Sequence, residues 1–174
     1  TYHVCLSSKP LNSGGDEVDT TCWQTSPRIS KWMKEQSLTP EGAYLYFVSK
    51  AQASARAIGK DVVGWEEIWR YFGSQLDKNT IIHQWLSGST IGINATAHGY
   101  RLLWSTSNAW YLDWLSTSWI TMYQQEPCTG IPDDTCDRLV LGGMCDRSHL
   151  LLFFIHTEQL IHFKYRWRRT MGRD

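Results

Sequence analysis

Four short apolar runs of four or five residues, separated by stretches with helical period, restrict this chain to few architectures. They open in "KDVVGWEEIW" from residue 60, in "NTIIHQWL" at 79–86, in "YRLLWSTS" at 100–107 and in "DRLVLGG" at 137–143. Runs of that length, bounded by turn residues, suit strands buried on both faces. The intervening segments 68–77, 94–99 and 114–125 are long enough for helices or helical turns. Upstream, 26–38 and 39–59 also read as helices: Pro27 and Pro40 follow Ser26 and Thr39 as N-caps, and Gly59 closes the second. Buried parallel strands joined by crossover helices make the class α/β. The sequence contains no internal repeat, low-complexity stretch or obvious linker.

Charge narrows the function classes. Seventeen basic residues balance seventeen acidic ones over 174 residues, so no overall field favours nucleic acid or an anionic membrane. The longest apolar run, 150–155, is far too short to span a bilayer, and "TYHVCLSSKP" lacks the basic segment and apolar core expected of a targeting sequence. Ten Trp and eight Tyr give aromatic faces that serve cores and also the apolar faces of sugars. Five cysteines include no C-x-x-C pair, which disfavours zinc-ribbon and thioredoxin-like readings. His83 lies in an apolar run and reads as a hydrogen-bonded core residue; no metal site and no cofactor are expected. Asn94-Ala95-Thr96 is a glycosylation acceptor tripeptide.

Acids and aromatics gather just past the ends of the strands, where the loops of parallel α/β folds converge on a ligand. The first such place is "GGDE". Gly14 and Gly15 let the chain leave a strand sharply, so that Asp16 and Glu17 diverge. Two neighbouring carboxylates in a dry pocket should keep one proton available, which suits cleavage of an acetal. Glu66 and Glu67, by contrast, read as solvated or helix-capping acids in preference to acids that orient helix starts or the mouth of the site.

Taken in order, "GGDEVDTTCW", "WMKE", "GWEEIW", "NTIIHQW", "GYRLLWSTSNAWYLDW", "YQQEP" and "LVLGG" resemble the catalytic domain of glycoside hydrolase family 20, the β-N-acetylhexosaminidases, over residues 11–143. The resemblance implies a (β/α)8 TIM barrel, of which this chain is roughly the second half. It implies retaining hydrolysis of terminal β-linked N-acetylhexosamine from glycans or chitin-like oligosaccharides, with the 2-acetamido oxygen of the substrate as nucleophile. By the same resemblance Glu17 is the general acid and then base, Asp16 orients the acetamido group and stabilises the cationic intermediate, and Tyr111 donates to the acetamido oxygen. Trp65 and Trp85 match aromatic walls of the pocket, and Asp113 matches a carboxylate that binds sugar hydroxyls. The implied partner is an N-acetylhexosamine-terminated glycan, with no nucleic acid and no membrane span, and with a homodimer as an expected form of the full-length protein. The implied setting is secreted, lysosomal, vacuolar or extracellular.

The ends depart from the family pattern. Residues 1–10 do not resemble the strand that should lead into "GGDE", and 144–174 lack the Trp-Gly-Glu segment that follows "LVLGG" in the family; an altered reading frame, retained intron or gene-model error from about Met144 is expected. Cys128 and Cys136 are close enough for a local bridge, whereas Cys22 is expected to pair with an upstream cysteine. Two rival readings are a non-catalytic sugar-binding or inactive fragment, and a hydrolase of some other carbohydrate.

Overall fold

The computed structural model describes residues 10–111 and 116–142. In chain order these form β1 (Pro10–Asn12), α1 (Thr21–Thr25), α2 (Pro27–Glu35), α3 (Pro40–Ala57), β2 (Asp61–Trp65) and α4 (Glu66–Phe72). There follow β3 (Ile81–Gln84), α5 (Ile91–Ala97), β4 (Arg101–Trp104), α6 (Ser107–Trp110), α7 (Trp119–Gln124), α8 (Asp133–Leu139) and β5 (Val140–Gly142).

The longest helix shows why the local signals worked. Thr39 Oγ1 accepts from the Gly42 N–H at 3.0 Å, Pro40 occupies the first turn, and Gly59 takes φ +75° just past the end. Ala43, Tyr44, Val48, Gln52 and Ala55 recur at helical spacing and form its buried stripe. Ser26 stands at the start of α2 as expected, but its side chain makes no capping bond.

All neighbouring strands are parallel, and their order across the sheet is β1-β2-β3-β4-β5. A parallel sheet wound in one direction, with right-handed crossovers, carries its helices on one face. The other face is then covered when the sheet curls toward a barrel. Pairing Trp65 with His83, and His83 with Leu103, sets these three on one face; Gly64, Ile82 and Leu102 share the other. On the helix side Ile82 packs with Tyr44, Val48, Ile68, Trp69, Phe72, Leu76, Ala95 and Tyr100, while Leu102 joins Ile131 and Cys136. Among the described residues no helix is long and apolar enough to cross a membrane.

Three boundaries differ from the sequence expectation. Pro10 lies in β1, whose partners are Asp61–Val63 of β2; proline is tolerated there because it opens the strand. The segment 68–77 is helical only to Phe72, after which Gly73, at φ +50°, starts a 3-10 turn. In "DRLVLGG" the first three residues belong to α8, and only Val140–Gly142 are extended. Pro132 and the acids Asp133 and Asp134 favour a helix start here, and the bridge from Cys136 to Cys128 holds that helix against Ile131. The expected local disulfide is therefore formed, and Cys22 is exposed and unbridged among the described residues.

Candidate active site

The loop after β1 is pinned on both sides of the acid pair. Before it, the Ser13 N–H donates to Val63 O at 2.7 Å, the Gly14 N–H to Asn12 Oδ1 at 2.8 Å, and Trp65 N–H to Gly14 O at 3.2 Å. Gly14 and Gly15 adopt φ +69° and +93°, so both glycines serve the turn. A Cβ at Gly15 would lie 2.4 Å from Ile68 Cγ2, and one at Gly64 2.3 Å from Ile68 Cδ1. Ile68, fully buried on α4, is thus wedged against two bare backbones, and this sets the helix tightly against the strand end. Beyond the acids, Val18 packs on the core.

Between these anchors Asp16 and Glu17 are exposed, so the described residues do not enclose the dry pocket expected around them. Glu17 takes φ +48°, a left-handed conformation that a non-glycine residue adopts at a cost. Tyr44, on α3, donates its hydroxyl to Gly15 O at 2.5 Å. Burial first, then the charges of Glu67, the Tyr71 hydroxyl and Asp16, push its phenol up to about 12, so it remains a donor at any ordinary pH. Tyr44→Phe should lower unfolding free energy in urea by about 1–2 kcal/mol, because Gly15 O loses its donor; an unchanged midpoint would remove Tyr44 from the anchoring of this loop.

The aromatic side of the site lies on the face away from the helices. Trp65, at the end of β2, stacks on His83 of β3 with ring centroids 4.2 Å apart and planes 18° from parallel. Trp85, one residue past β3, meets Trp65 edge-on at 6.2 Å and lies nearly parallel to Tyr111 at 6.2 Å. Three of the predicted site residues, contributed after β2, β3 and β4, are therefore neighbours. Beneath them His83 is fully buried, as expected of a core histidine, and its Nε2 is paired with the Ser105 hydroxyl. Burial pushes its imidazole down to about 4, so the ring is neutral. Trp104 and Trp110 meet edge-to-face at 6.2 Å, and Trp104 packs against the cluster of Leu102, Ile131 and Cys136.

Glu66 and Glu67 stand in the first turn of α4 and are buried, which corrects the solvated half of the expectation. The Glu66 carboxylate accepts from Arg70 (2.8 Å), the Ser89 hydroxyl (2.8 Å) and the N–H groups of Trp85 and Leu86 (both 3.1 Å). Four donors offset the desolvation of the charge. Glu67 receives the Trp85 indole N–H, 3.1 Å from each oxygen. Burial pushes the Glu67 carboxyl up, the Trp85 hydrogen bond and its own backbone pull it back, and the Glu66 and Asp16 charges add to the rise. The bond from the Trp65 N–H to Gly14 O ties the acid loop to the end of β2, the strand end that carries the first of the aromatic rings. The local signal for the two glutamates was their position directly after a strand-end Trp, in the first turn of a helix.

Asn94 is exposed on α5, and its side-chain oxygen accepts the Trp69 indole N–H at 3.0 Å. Asp113 lies outside the described residues. Among the described residues no three His, Cys, Asp or Glu side chains gather as metal ligands.

Comparison with known proteins identifies the family. The family described as "Glycosyl hydrolase family 20, catalytic domain" matches residues 3–146. Beta-hexosaminidase 3 of Arabidopsis thaliana is 42% identical over 135 residues, covering 78% of this chain and 25% of that protein. Beta-hexosaminidase 1 of the same plant is 41% identical over 130 residues, covering 75% and 24%. The chain thus spans about a quarter of the length of the curated relatives it matches. Among solved structures, the GH20 exo β-N-acetylglucosaminidase of Vibrio harveyi, in complex with N-acetylglucosamine, superposes with a TM-score of 0.66 at 25% identity, over 78% of this chain and 23% of that one. With a family match over most of its length and the parallel sheet in common, this chain belongs to glycosyl hydrolase family 20, as a stretch of its catalytic domain.

Proposed function

We propose that this stretch forms roughly the second half of a (β/α)8 barrel, and that the barrel removes terminal β-linked N-acetylglucosamine or N-acetylgalactosamine from glycans or chitin-like oligosaccharides with retention. The observation that carries this reading is the convergence, at the carboxyl end of one parallel sheet, of an exposed acid pair on a loop bonded to Trp65 and of three aromatic rings. In the proposed reaction the 2-acetamido oxygen attacks C1 while Glu17 donates its proton to the departing glycosidic oxygen. The resulting oxazolinium-type intermediate is opened by water, from which Glu17 recovers a proton. Asp16 holds the acetamido N–H and balances the positive charge; the Tyr111 hydroxyl donates to the acetamido oxygen and aims it. Trp65 and Trp85 wall the acetamido methyl and the pyranose face, and Asp113 takes sugar hydroxyls.

The Cys128–Cys136 bridge supports an oxidising, secretory or lysosomal setting, with Asn94 as the glycosylated residue. The test of the reaction is substrate choice. In the complete protein an aryl N-acetyl-β-glucosaminide should be hydrolysed, and the matching aryl β-glucoside, lacking the internal nucleophile, should not; equal rates on both would defeat the proposal. Binding of N-acetylglucosamine without any hydrolysis would favour the sugar-binding alternative.

A further inference from the structure

The Trp85 ring is held from two directions by consecutive residues. Glu66 fixes its backbone by accepting the Trp85 and Leu86 N–H groups, and Glu67 receives the indole N–H on a carboxylate with both oxygens at 3.1 Å. These restraints are not redundant. Backbone bonds place the Cα atom, but the torsion that turns an indole about its own axis is broad, and a half-buried tryptophan can turn over without moving its backbone. The N–H marks one edge of the ring as polar, and among the described residues it is Glu67 that accepts from it. Trp85 is also the ring in contact with both Trp65 and Tyr111, so its rotation sets the spacing of the whole aromatic group.

We propose that Glu67 is a positioning residue: it locks the rotation of Trp85 and thereby shapes the wall that receives the acetamido group, without itself touching the sugar. The inference rests on the sugar site proposed above, but its physical core, the lock on the indole, can be read without any sugar. A carboxylate placed to bind substrate would keep its oxygens turned to the open mouth, whereas both of these face the indole and the residue is 8% exposed.

The experiment uses the complete protein with 15N-labelled tryptophan, and assigns the Trp85 indole signal by its loss in Trp85→Phe. Glu67→Gln keeps an acceptor oxygen and should leave that N–H protected; Glu67→Leu should speed its exchange with solvent by about tenfold or more. With aryl N-acetylglucosaminide, Glu67→Leu should raise KM by about tenfold with a smaller change in kcat, Glu67→Gln should restore most of it, and Glu67→Leu should add little in a Trp85→Phe background. An unchanged indole signal in Glu67→Leu overturns the proposal, as does a Glu67→Gln variant that loses turnover while the indole stays protected. If Glu67→Leu does not fold, Glu67→Gln and Trp85→Phe alone still decide between these outcomes. Absence of hydrolysis in the unaltered protein would defeat the proposed reaction while leaving the indole result standing.

Discussion

Glu17→Gln should abolish release of an aryl leaving group from an N-acetylglucosaminide while the protein stays folded. The amide has nearly the shape of the carboxyl group but no proton to give, and a positioned general acid contributes about 10²–10⁴-fold to such a step. Glu17 is exposed, between a loop pinned to β2 and the packed Val18, so nothing in the core depends on its charge. Gln must occupy the same left-handed backbone position, at φ +48°, and so inherits the same strain. The thermal midpoint should therefore move little while kcat falls by at least two to three decades, on the order of the general-acid contribution. Turnover close to that of the unaltered protein would remove Glu17 from the acid/base role.

The largest structural effect is expected at Gly15, where two independent penalties coincide. At φ +93° any L-side chain is strained, and the new methyl group would sit 2.4 Å from Ile68 Cγ2. Ile68 cannot yield easily, because it is branched, fully buried and also wedged against Gly64. Gly15→Ala should cost about 2–5 kcal/mol, measured by urea unfolding. Adding Ile68→Ala should relieve the steric part alone, so the two changes should be non-additive by about 1 kcal/mol or more. A loss under about 0.5 kcal/mol for Gly15→Ala, the range of an ordinary surface change, would show that the close approach is not a feature of the folded protein.

The α/β class was legible because Val62–Val63, Ile81–Ile82 and Leu102 are apolar runs that need both faces covered, and because α3 announces itself with Thr39, Pro40 and Gly59. The strand order was not legible from those runs, since local sequence carries no record of which strand lies beside which. "DRLVLGG" misled for a related reason: Leu139 fits a strand by composition, but Pro132 and the Cys128–Cys136 bridge had already committed the chain to a helix. In the site, the roles of Asp16, Glu17 and Tyr111 came from the order of motifs, because no single residue among them is distinctive. The burial of Glu66 and Glu67 was not legible because a charge can be buried only where donors gather, and their donors come from Arg70, Trp85, Leu86 and Ser89.

The stacked pair of Trp65 and His83 bears on acid conditions. An imidazole in water gains a proton near pH 6.5, but the buried ring under Trp65 resists until about pH 4. Between those values the unfolded chain takes up a proton that the folded one refuses, so this residue's contribution to stability is complete above about 6.5 and shrinks as the medium is acidified toward 4. The indole floor meanwhile rests on an uncharged support across that interval. A mildly acidic compartment would leave the shape of the aromatic group intact while drawing down the reserve that keeps the sheet assembled.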